Sequence, residues 1–417
     1  MSDGRASHPA SWPMRTADYG RLSGVRVCML RESDYSLDSR ARKQAAALTA
    51  AGAHVTMIGI GSAPPEDLLD AGYDVQLVTP PRPHLPRLGR EDVWWPLRVG
   101  VNLTYTRELQ RRHRRRQLNV CVAEQELHQA AVATKPDVIH AYNLRTLPAA
   151  IRAKRATGAR VVFDCRDLQG DVEYYHPKLT KSLRRTEADL IHHADAVVTV
   201  SEPLADILHD RYDPVRPTVI YNGPLEVISE PSPVHQPVRL LFQGALRENR
   251  NLGSLIEAMV SLGGRATLTL QGFVETGESL DEKIAALALQ DVVSVVPPAE
   301  PSDIVSAASD FDVGVICYRG DSLNLRSAVP NKLMDYLGAG LAIAASDLPG
   351  HRSVLEDTGT AVFIDPSTPE TIARDLGRLL ANPARITDMK QSAVETARRF
   401  EWSVQAERLV SVYTAAV

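Results

Sequence analysis

The sequence predicts an α/β protein built from two doubly wound, Rossmann-like domains that face each other across a cleft. Short apolar runs of strand length alternate with helical stretches along most of the chain, as in a parallel sheet covered on both faces. The alternation is broken once, at residues 226–236, by a stretch rich in Pro, Ser and Glu that reads as a linker. A length of 417 residues suits about two or three ordinary domains.

Composition narrows the class. Hydrophobic residues make up 44% and charged residues 24%, the balance of a soluble globular protein. A formal net charge of −4 argues against a nucleic-acid binder, which needs a dominant basic surface. No apolar run reaches the ~18 residues that span a bilayer. Residues 1–24 are polar and contain proline but no apolar core, so they read as a disordered lead and not as a secretory signal. Cys28, Cys121, Cys165 and Cys317 are scattered without a Cys-x-x-Cys pair, which favours reduced thiols in the cytoplasm over a disulfide framework or zinc site.

The elements follow in order. Val25–Leu30 is a buried-strand run, followed by a loop with Asp34, Ser36 and Asp38. A helix from Ser39 to Ala51 ends at Gly52, and His54–Ile60 is the next strand, completing a βαβ unit. The first loop lacks G-x-G-x-x-G, so the dinucleotide fingerprint is absent. Arg40 and Arg42 oppose the dipole of that helix; Arg42 reads as solvated, and Arg40 as facing the cleft. Strands are predicted at Val75–Val78, Val138–Ala141, Arg160–Asp164, Ala196–Val200 and Thr218–Tyr221. Helices fall at about 146–157 and 178–193, and Ser201 caps another that has Pro203 near its start. Beyond the linker, strands are predicted at Arg239–Gln243, Thr267–Gln271, Val292–Val296, Val313–Ile316, Leu341–Ala344 and Ala361–Phe363, and everything after Pro369 is helical. The partition is 1–24 lead, 25–224 first domain, 225–237 linker, 238–395 second domain and 396–417 a final helix.

One segment departs from this alternation. Trp94 and Trp95 precede a run in which Arg111, Arg112, Arg114, Arg115 and Arg116 are nearly contiguous. Basic clusters beside tryptophans dock on anionic membrane surfaces, but a charged run is also the ordinary solvated face of a helix. Both readings stand, so the expected location is cytoplasmic with optional peripheral contact at the inner face of the membrane.

The stretch Val329–Gly350 (VPNKLMDYLGAGLAIAASDLPG) carries the most chemistry. Pro330 suits the first position of a helix, Leu333, Met334 and Leu337 form its apolar stripe, and Gly338 and Gly340 end it. Lys332 in the first turn opposes the dipole. Either it reaches back into solvent, or a negative ligand sits at the helix N-terminus. Phe242-Gln243-Gly244 ends the first strand of the second domain, and Arg247 and Arg250 follow in one loop before the helix near Asn251. A strand, a glycine, two cations and a helix N-terminus suit a diphosphate.

These residues resemble the GT-B glycosyltransferases of retaining family four. The resemblance runs from Val25 onward and is strongest over Asn331-Lys332-Leu333-Met334-Asp335-Tyr336-Leu337 and the following GAGLAIAASDLPG. Weaker parts are Asp38-Ser39-Arg40, the DVIHAYNLRTLPAA run from Asp137, the run Ala194–Ser201, and Asn222-Gly223. Phe400-Glu401-Trp402 resembles the place where the last helix of that family crosses back to the first domain. The resemblance implies a nucleotide-sugar donor in the second domain, with a UDP-sugar favoured, and an acceptor on the first. It implies that Arg247 and Arg250 hold the donor diphosphate with Gly244, Asn331 and Lys332, that Asp335 takes the ribose, and that the backbone around Pro298 flanks the base. Ser327 stands where the family has a sugar-contacting Glu, with Asn324 or Arg326 as nearby substitutes. In the first domain the family's Asp-x-His-Glu stretch is here Asp164-Cys165-Arg166-Asp167. Arg166 cannot act as a base at neutral pH, though it can bind an anionic acceptor or the donor phosphate. Asp167 is the candidate for the acceptor hydroxyl, and Asp164 reads as a strand-end residue capping a loop. His140 and Asn143, with Arg40, are candidate acceptor contacts. No metal and no other cofactor is expected, since cations occupy that role. Two rivals remain: a nucleotide-sugar epimerase or phosphorylase on the same fold, and a catalytically weak scaffold.

Overall fold

A computed structural model of the chain describes residues 20–36, 38–65, 68, 71–79, 123–172, 177–213, 215–275 and 279–417. The basic segment with Trp94, Trp95 and Arg111 to Arg116 lies outside these residues, as does the predicted lead up to residue 19.

The first sheet contains β1 (Arg26–Leu30), β2 (His54–Ile60), β3 (Asp74–Val78), β4 (Val138–Tyr142), β5 (Arg160–Cys165), β6 (Ala196–Thr199) and β7 (Thr218–Val219). Its order is β3-β2-β1-β4-β5-β6-β7, and every pair is parallel. The second sheet contains β8 (Val238–Gln243), β9 (Ala266–Gln271), β10 (Val293–Val296), β11 (Val313–Ile316), β12 (Ala342–Ser346) and β13 (Ala361–Ile364), again all parallel, in the order β10-β9-β8-β11-β12-β13. Both sheets therefore reverse direction next to their first strand, between β1 and β4 and between β8 and β11. The crevice beyond the carboxyl ends of the strands at such a point is where these folds bind ligands. Each predicted strand is present, with edges within two residues of expectation.

Period-two alternation sorts β4 between two cores. Ile139 and Ala141 pack in one cluster with Leu147, Phe163 and Leu168. Val138 and Tyr142 face the other, where Trp402, Ala406, Leu409, Val410 and Tyr413 of the last helix, Trp402–Ala416, are buried. The C-terminal helix thus completes the core of the first sheet, although the chain has by then built the second. The second crossing is tight. Trp402 donates its backbone N–H to the Pro224 carbonyl at 2.8 Å. A side chain at Gly223 would overlap the Phe400 carbonyl oxygen, which accounts for the glycine.

The linker is anchored by a buried charge. Asp312, fully buried, accepts from the backbone N–H of His235 and Arg239 and pairs with Lys390 at 3.2 Å, while Lys390 also reaches Ser232. Cys28, Cys165 and Cys317 are unpaired and buried. No helix among the described residues is long and apolar enough to cross a membrane.

Candidate active site

The second-domain half of the site forms at the ends of β8 and β11. Gly244 turns the chain out of β8 at φ 112°, a conformation open to glycine. Its amide bonds the Gln271 carbonyl at 2.8 Å, and Gly272 lies so close that a side chain there would strike the Gly244 carbonyl. The helix Asn331–Gly338 approaches this corner with its N-terminus, where Asn331 is exposed. Pro330 is its capping residue instead of its first helical residue, and no side chain caps its N–H groups. Gly338 lies inside the helix, where its lack of a side chain lets the linker pass: a Cβ would come within 2.9 Å of Glu226 O and of Pro224. Gly340, at φ 62°, makes the left-handed turn after the helix.

Lys332 does not reach solvent; it is 8% exposed. Its ammonium lies over the Phe242 ring, 3.3 Å from the centroid, and 5.6 Å from the centre of the Tyr318 ring. Arg250 stacks on the same tyrosine, with Cζ 4.6 Å from the centroid. Two cations thus share one aromatic ring, and no carboxylate among the described residues forms an ion pair with either. Burial, then the charge of Arg250, holds the Lys332 ammonium well below the ordinary lysine range. Beneath them His351 is fully buried, with Nδ1 2.9 Å from the Ser346 carbonyl and Nε2 without a partner. Burial pushes it down to about 4.

Arg247 does not join this pair. It bonds Glu275 at 2.8 Å and, with Asn249, Asn251 and Arg319, lines a cavity at the start of the helix Leu252–Leu262. The expected convergence of Arg247 with Arg250 is therefore replaced by convergence of Lys332 with Arg250. Ser327 is also unsuited to a ligand: it is 2% exposed, and its hydroxyl donates back to the Leu323 carbonyl at 2.8 Å within the short helix Leu323–Ser327. Asn324 uses its Oδ1 to accept the Leu168 amide of the first domain at 2.8 Å. Asp335 is half-buried one turn beyond Lys332, and burial raises its carboxyl above the usual range against the opposing pull of Lys43 and Lys332. Pro298 is half-buried in the loop after β10.

The first-domain half forms at the ends of β1, β4 and β5. Arg166 follows β5 with Nη1 at 2.9 and 3.1 Å from the Asp38 carboxylate, over the Tyr142 ring. Asn143, in the left-handed region at φ 60°, accepts the Arg166 amide at 3.1 Å and so positions that corner. Asp167 is half-buried beside it. Two candidates for acceptor contact lie too deep. His140 is fully buried, its Nδ1 2.7 Å from the Tyr413 hydroxyl, because it shares the β4 face that the returning helix covers. Arg40 is 3% exposed and donates to Asp164 at 2.9 and 3.2 Å and to the Ile220 carbonyl at 2.6 Å. Asp164 itself is a fully buried anchor that also accepts from Gln44, and Arg40 and His140 outweigh its burial to keep its carboxyl below the usual range.

The two halves touch. Besides the Leu168–Asn324 bond, the Ser201 hydroxyl donates to the Ser327 carbonyl at 2.6 Å while capping Leu204 at 3.2 Å. Lys43, 5% exposed, donates to the Gly223 carbonyl at 2.7 Å where the chain leaves the first domain, with its ammonium 5.2 Å from the centre of the Trp402 ring. Sequence reading missed Tyr318, His351 and Lys43. Tyr318 carried a usable signal, since it stands two residues past a strand at the switch point.

Two parallel sheets of this order with a cation-lined cleft define a GT-B protein. Residues 41–224 match the family model described as Glycosyltransferase Family 4, and residues 227–400 match Glycosyl transferases group 1. Together the matches span most of the chain, which belongs to the GT-B glycosyltransferases composed of these two domains. The D-inositol 3-phosphate glycosyltransferase of Thermobispora bispora is 30% identical over 138 residues, covering 33% of this chain and 31% of that protein. Its counterpart from Corynebacterium glutamicum is 23% identical over 263 residues, covering 57% of this chain and 61% of that protein. The chain thus spans about a third of the first of these relatives. Among solved structures, sucrose-phosphate synthase from Thermosynechococcus elongatus superposes with a TM-score of 0.70 at 15% identity, covering 94% of this chain and 98% of that one. Anabaena Alr3699/HepE in complex with UDP-glucose gives 0.67 at 15% identity, with 94% and 99% covered. These likenesses show the fold.

Proposed function

We propose that this protein transfers a sugar from a nucleotide-diphosphate sugar, a UDP-sugar by preference, to an acceptor hydroxyl, with retention at the transferred carbon and without a metal. The observation that carries the reading is the sharing of Tyr318 by Arg250 and Lys332 at the N-terminus of the Asn331–Gly338 helix, with no carboxylate ion pair among the described residues. Confined like charges repel, and an incoming diphosphate relieves that repulsion. The same groups would meet the negative charge that develops on the departing diphosphate, where preorganised donors act most strongly. Asp335 would take the ribose, and the backbone near Pro298 the base. Asp167 is the candidate for the acceptor hydroxyl. Preference for UDP draws support from the UDP-glucose complex of the Anabaena neighbour, and retention rests on the family resemblance.

A thermal-shift panel of UDP, GDP, dTDP and ADP tests the donor half. UDP is expected to raise the melting temperature most; no rise with any of the four would sink the reading. Donor breakdown that depends on an added acceptor separates a transferase from an epimerase or a phosphorylase.

A further inference from the structure

A cavity of about 470 Å³ lies on the second domain, where the loops after β8 and β11 meet the start of the helix Leu252–Leu262. Ligand pockets ordinarily span roughly 300–1,000 Å³. The cavity is separate from the cleft: Gly244, Arg250, Tyr318 and Lys332 are not among the residues that line it. Neighbours in the chain divide the two places. Tyr318 receives Arg250 and Lys332, while Arg319 lines the cavity.

Charge in the cavity is balanced. Its wall carries Arg247, Lys283 and Arg319 against Glu257 and Asp321, and Glu275 holds Arg247. Lys283 is taken up by Glu257 at 2.6 Å. Arg319 and Asp321 are left over. Both are exposed, and neither forms an ion pair among the described residues. Gly320, at φ 71°, turns the chain between them. Arg319 is aimed by neutral groups instead: Nε donates to Asn251 Oδ1 at 3.1 Å and Nη2 to the Ser254 hydroxyl at 3.4 Å. Asn251 is fixed in turn, 7% exposed and donating to the Pro366 carbonyl at 2.9 Å.

One unpaired guanidinium and one unpaired carboxylate on the same wall select against charge. An anion drawn to Arg319 also meets Asp321, and a cation drawn to Asp321 meets Arg319. An uncharged polyhydroxyl ligand satisfies both, since a hydroxyl donates to a carboxylate and accepts from a guanidinium. An apolar face stands nearby. The loops after β8 and β9 run on as a pair, with the Leu246 amide donating to the Phe273 carbonyl at 2.8 Å and the Glu275 amide to the Leu246 carbonyl at 2.9 Å. Period-two alternation puts Phe273 on the side of Glu275, the partner of Arg247, and Phe273 is 52% exposed. A sugar ring carries hydroxyls at its edge and C–H groups on its faces, so it suits polar groups and an aromatic face together.

We infer that this cavity is a second saccharide site, which takes an uncharged sugar through Arg319 and Asp321. The inference does not rest on the transferase reading, because no residue of the cleft takes part in it.

The test is titration calorimetry on the full chain, with and without saturating UDP. The probes are glucose, galactose, N-acetylglucosamine, maltose and lactose, with glycerol, inorganic phosphate and β-alanine as controls. At least one saccharide is expected to bind about tenfold or more tighter than each control. Arg319→Gln and Asp321→Asn are each expected to lower that affinity about fivefold or more, as the loss of one net hydrogen bond implies. Thermal unfolding reports that each variant is folded, and the shift with UDP reports on the donor half. Absence of saccharide binding, or binding that both variants keep, overturns the inference and leaves the donor reading as it stands. Saccharide binding that the variants lose, in a protein that ignores UDP, supports this site and overturns the donor reading. Glycerol binding equal to that of the best saccharide overturns the choice of a sugar, and tighter binding of phosphate or β-alanine overturns the choice of an uncharged ligand.

Discussion

The Lys332 ammonium lies 3.3 Å from the centre of the Phe242 ring, where a lysine would ordinarily seek a carboxylate. A cation–π contact of this kind is worth up to about 2 kcal/mol when desolvated, less than the cost of burying the charge. The proton is therefore loosely held, and burial with the nearby Arg250 depresses the group.

A diphosphate bound beside Lys332 would pull its protonation back up. Donor binding is then accompanied by proton uptake, and affinity falls as pH rises through the interval between the free and bound values. Calorimetry of UDP binding over a pH series, in buffers of different ionisation enthalpy, is expected to show net uptake that Lys332→Met removes. Binding without proton transfer in the parent protein would refute this.

Arg250 and Arg247 are predicted to differ sharply. If Arg250 holds the departing diphosphate as proposed, Arg250→Ala is expected to cost about 10²–10³ in turnover, or roughly 3–4 kcal/mol. Arg247→Ala removes only an exposed pair with Glu275 and should cost less than about tenfold, as exposed ion pairs contribute little. Initial rates of donor turnover decide it, and equal losses would return Arg247 to the site.

Asn324→Ala should loosen the contact between the domains. A net hydrogen bond is worth about 1 kcal/mol, so the open fraction should rise about fivefold. Small-angle scattering of the ligand-free protein would show a larger radius of gyration, and the Leu168 amide would exchange faster. No change in either would mean that the bond follows closure without holding it.

Glu187 gives a stability prediction away from the cleft. It is 1% exposed, accepts from the Tyr212 hydroxyl at 2.8 Å, and is pushed up to about 7 by burial. Its folded value exceeds its unfolded one, so its penalty is absent below about pH 4.5, grows with pH, and is complete above about pH 7. Glu187→Gln is expected to stabilise the protein at pH 8 by roughly 2–3 kcal/mol and to leave it unchanged at pH 4. Denaturant unfolding at the two pH values measures this, and equal effects at both would count against it.

The fold was readable because alternation, linker and capping residues all indicate the same architecture. Lys332 was readable because a cation at a helix N-terminus is a local contradiction that sequence exposes. What sequence could not supply was which face of a strand or loop would be covered later. His140 ends near a cleft in any sequence reading, but the helix bearing Tyr413 arrives from 273 residues away to bury it. Arg40 suits a cleft position by sequence, but its partner Asp164, 124 residues on, draws it into the core. Arg247 and Arg250 look equivalent in the loop between β8 and the helix Leu252–Leu262, and only the positions of Glu275 and Tyr318 separate them.

The chain passes between its two sheets twice, outward at Gly223-Pro224 and back at Phe400-Glu401-Trp402, and the two passages are bonded side by side. A pair of parallel tethers fused at one line behaves as a door pin. Such a joint would favour rotation of one domain against the other over sliding. Lys43 grips that pin on the Gly223 carbonyl and against Trp402, while its charge acts on Asp335. A ligand that reached the carboxylate of Asp335 would therefore be felt, through Lys43, at the line where the two domains are joined.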